Sequence, residues 1–164
     1  MTRLDSVIRR LQAQRACLDW AAGQVADQPG VVFELGLGNG RTFDHLRTRL
    51  ARHEIFVFDR QIAAHPDCIP DQRHLYLGNI QETLPLAVGE HPSGCVLVHC
   101  DIGTGVAAED SVITAFISQA LIPALAPGAL IISDQRLELE GSEAVTLPPS
   151  VTENRYFIRL FQGQ

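Results

Sequence analysis

The segment Val31-Val-Phe-Glu-Leu-Gly-Leu-Gly-Asn-Gly-Arg-Thr42 decides the fold, because an apolar run in it meets three alternating glycines. The apolar run predicts a buried strand, and the glycines let the backbone turn tightly out of that strand and approach a ligand closely. A helix is predicted from about Arg41 to about Arg52, followed by a second apolar strand that ends at Asp59. A strand, a glycine turn, a helix and an acid at the end of the next strand together predict a site for a nucleotide-like cofactor.

The spacing of the glycines distinguishes two classes of cofactor. A dinucleotide-binding loop requires a glycine where this chain has Arg41, and it receives a pyrophosphate. Here Glu34 stands two residues before Gly36, and an acid beside the loop repels a pyrophosphate but favours a ligand that carries an amino group and a sulfonium. The pattern Glu34-x-Gly36-x-Gly38-x-Gly40 resembles motif I of the class I S-adenosylmethionine-dependent methyltransferases.

The resemblance continues along the chain from residue 31 to residue 134. A third predicted strand, His74 to Leu77, is followed by Gly78-Asn79-Ile80, which resembles the family's segment that contacts the adenine. A fourth strand, Cys95 to Cys100, ends at Asp101, where the family keeps a residue that faces the methionine part and the substrate. The resemblance implies an α/β fold with a doubly wound, mostly parallel seven-stranded sheet, the Rossmann-like methyltransferase fold, in which the last strand is antiparallel.

The carboxyl-terminal half is predicted to be shortened. Ala126-Pro127-Gly128 precedes a fifth strand, Ala129 to Ser133, and Asp134 closes it. Two final strands are predicted at residues 144–147 and 155–161, and they should form the antiparallel hairpin of this fold. No helix is predicted between strands five and six, because residues 135–142 are polar and contain a glycine.

A long first helix is predicted within residues 1–28. Apolar residues recur there at helical spacing, and Thr2 and Asp5 are placed as a capping box. Trp20 on this helix has two interpretations: a lid over the cofactor cleft, as such helices often form in the family, or packing of the helix on the sheet. The predicted organisation is one domain over residues 1–164, with the cofactor-binding core at 31–134 and the strand hairpin at 144–161.

Composition and charge limit the partners. The 164-residue chain is 46% hydrophobic and 20% charged and has no apolar run long enough to span a membrane. The beginning Met1-Thr-Arg-Leu-Asp lacks the features of a secretory signal, so a cytoplasmic protein is expected. The net charge is −6 and no basic stripe is visible, so nucleic acid is not an expected partner. The four cysteines form no C-x-x-C pair, which argues against a zinc site.

The resemblance assigns cofactor contacts to particular residues. Gly36 and Gly38 would admit the methionine portion, Glu34 would shape and polarise the loop, and Asp59 would accept the ribose hydroxyls. Capping of the following helix is the preferred interpretation of Thr42. The predicted cofactor-binding set is Glu34, Gly36, Leu37, Gly38, Asn39, Gly40, Thr42, Asp59, Arg60, Asn79, Ile80 and Asp101.

Methyl transfer mainly requires alignment of a nucleophile and exclusion of water, but a hydroxyl acceptor must lose its proton. The candidate catalytic residues are Asp101, His99 and Asp134. His99 lies in a strand of Cys, Val and Leu, where a hydrogen-bonded core histidine is an equal alternative. Asp101, Asp134 and Gln135 also resemble the positions that hold Mg²⁺ in catechol-type O-methyltransferases. That pattern usually has Asp-Asn at its second place, so a metal site is not the preferred interpretation.

The preferred function is S-adenosylmethionine-dependent methyl transfer to the oxygen or nitrogen of a small molecule. An NAD(P)-dependent oxidoreductase is the alternative enzyme, and it is disfavoured by Arg41 and by the absence of lysine. A non-catalytic S-adenosylmethionine-binding subunit of a partner is a third interpretation, suggested by the shortened carboxyl-terminal half. A homodimer is another arrangement that would supply the missing wall of the cleft.

Overall fold

One mixed sheet of seven strands runs through the chain. The computed structural model describes residues 2–163 and contains strands β1 Val31–Leu35, β2 Glu54–Asp59, β3 Leu75–Leu77, β4 Cys95–Cys100, β5 Leu125–Ser133, β6 Ser142–Ala144 and β7 Phe157–Phe161. Their order in the sheet is β3-β2-β1-β4-β5-β7-β6. Strands β1 to β5 pair in parallel, whereas β7 pairs antiparallel with both β5 and β6. The predicted doubly wound sheet with an antiparallel last strand is therefore confirmed.

Four α-helices cover the two faces of the sheet: α1 Arg3–Val25, α2 Arg41–Arg49, α3 Ile80–Glu90 and α4 Ala107–Ala120. Short 3-10 turns lie at Pro66–Cys68, Gln72–His74 and Ile122–Ala124. Because side chains alternate along a strand, Val32 of β1 packs in one buried cluster with α1 and α2, while Phe33 packs in a second cluster with α3 and α4. No helix among residues 2–163 is long and apolar enough to cross a bilayer.

Helix α1 begins with the predicted capping box, in which the Asp5 amide donates to Thr2 Oγ1 at 3.1 Å and the Thr2 amide donates to Asp5 Oδ2 at 2.9 Å. Its 23 residues span about 35 Å, twice the length of about 17 Å expected for the five-residue β1. Only the second half of α1 therefore packs on the sheet, and the first half extends past the carboxyl ends of the strands. Three apolar residues in that first half are consequently exposed, namely Leu4 (67%), Val7 (47%) and Ile8 (44%).

The carboxyl-terminal strands differ from their predicted bounds. Strand β5 starts before the proline-glycine turn, because Cys95 of β4 already pairs with Leu125 and the register then shifts. Strand β6 was predicted at 144–147 but lies at Ser142–Ala144, so the two ranges share only Ala144, and β7 begins at Phe157 instead of Arg155. A proline pair at 148–149, which has no N–H to donate, stands in the connection between them. Residues 134–141 contain no helix, as predicted.

Candidate active site

The predicted site residues meet at the carboxyl ends of the parallel strands. Backbone hydrogen bonds continue the sheet beyond its regular part and fix them there: the Gly36 amide donates to Phe58 O at 2.8 Å, and the Asp101 amide donates to Leu35 O at 3.0 Å. The Asp134 amide is bound to β4 in the same way, at 3.1 Å. Because these bonds hold the main chain, the side chains at the strand ends project from a rigid edge.

The three glycines of the loop differ in what a side chain at each position would contact. All have positive φ angles: +99° at Gly36, +52° at Gly38 and +82° at Gly40. A Cβ at Gly36 would lie 2.6 Å from the carbonyl oxygen of Asp101, and one at Gly40 would lie 2.5 Å from the Cβ of Cys68. A Cβ at Gly38 would meet no protein atom within 4 Å. The first and third glycines therefore allow the protein to pack, and only Gly38 faces open space.

Asp59 anchors the glycine loop. The amides of Leu37 and Gly38 donate to its Oδ2 at 3.0 and 2.9 Å, and the amide of Gln61 donates to its Oδ1 at 3.2 Å. An ionised carboxylate has about four acceptor positions, so Asp59 retains capacity for a ligand hydroxyl. The sequence predicted the ligand contact but not the anchoring of the loop.

A main cavity of about 980 Å³ opens beside the glycine loop. Its size lies at the upper end of the range usual for small-molecule sites. One part of its wall is apolar and includes Phe58, Ile102 and Ile113. Seven predicted cofactor-binding residues line it: Gly36, Gly38, Asp59, Arg60, Asn79, Ile80 and Asp101. The bare wall at Gly38 and the acid at the end of β2 thus belong to one continuous space.

A small cavity of about 120 Å³ lies between α1 and the glycine loop. It shares Gly36, Gly38 and Asp101 with the main cavity, so Asp101 stands where the two spaces meet. The predicted residues Leu37, Asn39 and Thr42 also line it.

Helix α1 contributes Arg10 and Gln14 to the small cavity, and both were missed in the sequence. A polar Gln14 on the apolar side of a helix was the available signal. Trp20 lines neither cavity and packs beside the buried cluster between α1 and the sheet, which favours its packing interpretation.

Glu34 is bound to protein partners on both sides. Its Oε2 lies 2.7 Å from His99 Nδ1, and its Oε1 accepts a hydrogen bond from Thr42 Oγ1. Thr42 was predicted to cap α2, and this is wrong, because the N-cap is Gly40 and Thr42 is turned inward to Glu34. Glu34 and His99 are 0% exposed and line neither cavity. His99 therefore has the features of the hydrogen-bonded core histidine.

The buried histidine is linked to Asp101 through two residues from distant parts of the chain. His99 Nε2 lies 3.1 Å from the Tyr156 hydroxyl. Gln14 Nε2 in turn lies 2.7 Å from that hydroxyl and 2.6 Å from Asp101 Oδ2. We call Asp101, Gln14, Tyr156, His99 and Glu34 the buried network.

Asp101 and Asp134 form an acid pair. Burial, together with the charge of Asp101, raises the pKa of Asp134 to about 6. Its buried Oδ1 has no hydrogen-bond partner among the described residues. Gly103 covers the other side, because a Cβ there would lie 2.8 Å from both Asp134 Oδ2 and Gln135 Nε2. Asp134 and Gln135 consequently line neither cavity.

Comparison with known proteins decides the family. The model of a family described as S-adenosyl-L-methionine methyltransferase matches residues 1–160 of the chain. The chain belongs to this methyltransferase family. An S-adenosyl-L-methionine methyl transferase from Silicibacter pomeroyi DSS-3, solved as a crystal structure, is similar to it at 43% identity and a TM-score of 0.91, over 97% of this chain and 98% of that one. No curated protein sequence matches this methyltransferase.

More distant solved structures share the fold of the methyltransferase. Cofactor-bound Rv0187 from MTB has 15% identity and a TM-score of 0.62, over 98% of this chain and 89% of that one. The antibiotic-resistance methyltransferase Kmr has 12% identity and a TM-score of 0.57, over 92% and 93% of the two chains. At such identities the likeness concerns the fold alone.

S-adenosylmethionine is the cofactor of this methyltransferase, and family membership decides against the NAD(P)-dependent alternative. The cavity fits the cofactor, since Gly38 leaves open the volume that any side chain would fill. A cation site at the acid pair fits less well. Arg10 Nη1 already lies 3.5 Å from Asp101 Oδ2, and residues 2–163 contain no group of three or more His, Cys, Asp or Glu that could hold a metal ion.

Proposed function

We propose that this methyltransferase acts on a small molecule and transfers the methyl group to an oxygen or nitrogen atom. One observation carries the proposal: the main cavity extends without interruption from Asp59 at the end of β2 to Asp101 at the end of β4. Such a space can hold a cofactor at one end and a small acceptor at the other. The net charge of −6 supports a small acceptor over a nucleic acid, whose phosphates would be repelled.

The proposed cofactor contacts follow the lining of the main cavity. Asp59 accepts the ribose hydroxyls through the acceptor capacity that the loop amides leave free. Asn79 and Ile80, at the start of α3, meet the base, and Arg60 flanks it. Gly38 lets the methionine part lie against the main chain.

S-adenosylmethionine supplies the activated methyl group when it is bound. The residues of the chain then have to align the acceptor, exclude water and take up its proton. Asp101 is the proposed base, because it alone of the three predicted catalytic residues lines the cavities. Asp134 lies beside Asp101, outside the cavity lining, and interacts with its carboxylate. His99 acts only through the buried network.

The test is transfer of labelled methyl groups from S-adenosylmethionine by the purified protein. A small-metabolite extract and separate protein, DNA and RNA fractions are offered as acceptors. Label is expected in small molecules, and Asp101→Asn should reduce its incorporation by about a hundredfold or more, a typical size for loss of a positioned base. Label confined to a macromolecular fraction would overturn the proposal.

A further inference from the structure

The buried network has one direction in which every hydrogen bond can form. Gln14 Nε2 carries two N–H groups, and it lies within hydrogen-bond distance of both Asp101 Oδ2 and the Tyr156 hydroxyl. Arg10 Nη1, which can only donate, also lies 3.5 Å from Asp101 Oδ2. An ionised carboxylate only accepts, so Gln14 must turn its amide nitrogen, and not its oxygen, towards Asp101.

The same direction continues to Glu34. Because Tyr156 accepts from Gln14, its own proton is free to go to His99 Nε2. A neutral imidazole that accepts at Nε2 carries its proton on Nδ1, and that N–H donates to Glu34 Oε2. In this arrangement every N–H and O–H between Asp101 and Glu34 has an acceptor, and a carboxylate stands at each end of the buried network.

Burial makes this direction hard to reverse. Glu34, His99 and Tyr156 are 0% exposed, so solvent cannot replace a lost partner there, and Gln14 is only 5% exposed although it borders the small cavity. Rotation of the Gln14 amide would place its oxygen against Asp101 Oδ2, which only accepts, and would remove the donor that now faces the Tyr156 hydroxyl. Asp101 on one side and the Tyr156 hydroxyl on the other therefore hold the Gln14 amide in this orientation together.

Gln14 also reaches across the cleft. It lies at the middle of α1, where the buried part of the helix begins, while Asp101 directly follows β4 at the junction of the two cavities. The contact therefore ties the only described helix before β1 to the predicted base.

We propose that Gln14 is a positioning residue whose hydrogen bond orients the Asp101 carboxylate towards the positive charge of the bound cofactor. Tyr156, His99 and Glu34 in turn help to fix the orientation of the Gln14 amide. The proposal rests on the role proposed above for Asp101, because a base that takes the acceptor's proton stands beside the methyl group that is transferred and therefore beside the sulfonium that carries it. Gln14 itself does not need to touch the acceptor. Its effect should be felt by a ligand that is positively charged beside Asp101 and not by a neutral one.

The test compares the affinities of two ligands by calorimetry with the full chain. Sinefungin carries an amine, positively charged at neutral pH, where S-adenosylmethionine carries its methyl sulfonium, whereas S-adenosylhomocysteine is neutral there. The ratio of the two affinities therefore reports how well the Asp101 carboxylate is oriented towards the positive charge of the ligand. A loosened fold would weaken both ligands alike and leave the ratio unchanged.

Gln14→Met keeps the shape of the side chain and removes both donors, and it should lower the preference for sinefungin about fivefold. Tyr156→Phe should lower it about twofold, because Gln14 remains but its amide is free to turn. Gln12→Met, on the exposed side of α1, is the matched control and should leave the ratio as it is.

If Gln14→Met leaves the ratio unchanged, whether or not both affinities fall, the positioning role is overturned. If Gln14→Met does not fold in thermal unfolding, the ratio in Tyr156→Phe decides. The identity of the methyl acceptor does not enter this measurement, so failure of the proposed function and failure of this inference are distinguishable.

Discussion

Glu34 on β1 and His99 on β4 are register partners in the parallel sheet, and Glu34 Oε2 lies 2.7 Å from His99 Nδ1. Burial by itself lowers the pKa of His99, but the charges of Glu34, Asp101 and Asp134 outweigh it and raise that pKa above its ordinary value. The acid of the glycine motif therefore has a partner on the neighbouring strand. It lies within the sheet beneath the loop and lines neither cavity.

Loss of this buried carboxylate should destabilise the protein strongly. Glu34→Gln replaces the charge-assisted hydrogen bond to His99 at a position that solvent cannot reach, and we expect the free energy of unfolding in urea to fall by about 2–3 kcal/mol. Glu54→Gln is the control, because Glu54 pairs with Arg73 and His74 at an exposed position and should cost less than about 1 kcal/mol. Similar losses in the two variants would contradict a structural role for the Glu34–His99 pair.

The acid pair should make stability depend on pH. The pKa of Asp134 is raised from 3.8 to about 6, so the folded protein keeps a proton that the unfolded chain releases, and the free energy of unfolding falls as pH rises through this interval. Asp134→Asn cannot lose that proton. Between pH 4 and pH 7 the variant should gain about 2 kcal/mol relative to the unmodified protein, measured by urea unfolding at several pH values. Asp27→Asn, at an exposed position, should follow the unmodified protein; parallel curves for Asp134→Asn would refute the assignment.

The sequence predicted the edge of the sheet on which the site lies, because parallel strands end together and polar residues follow each of them. Gly38, Asp59 and Asp101 could be placed in this way. The buried network could not, since it depends on the register between β1 and β4 and on the place of Tyr156 just before β7. Residues more than a hundred positions apart, Gln14 and Tyr156, meet only when the sheet has formed. The extension of the first half of α1 past the strands could not be predicted either, because the spacing of apolar residues does not show how much of a helix the sheet can cover.

Substitution by alanine should mainly lower cofactor affinity at Gly38 and mainly lower stability at Gly40. Gly38→Ala adds a methyl group to open cavity space, so binding of S-adenosylhomocysteine should weaken at least tenfold, while its φ of +52° costs only about 1 kcal/mol of stability. Gly40→Ala places its methyl group against Cys68 and should mainly lower the melting temperature. Calorimetry and thermal unfolding on both variants test the contrast. A loss of stability in Gly38→Ala as large as that in Gly40→Ala would show that the loop is packed more tightly than described.

Asp59 should matter for cofactor affinity in two separable ways, as a ligand contact and as the anchor of the loop. Asp59→Ala removes both, and the affinity for S-adenosylhomocysteine should fall by about 1–3 kcal/mol in calorimetry. Asp59→Asn keeps an oxygen that can accept from the amides of Leu37 and Gly38 and loses only the charge. We expect it to fall between the unmodified protein and Asp59→Ala. If Asp59→Asn matches Asp59→Ala, the charge towards the ribose dominates, whereas unchanged affinity in Asp59→Ala would exclude Asp59 from the cofactor site.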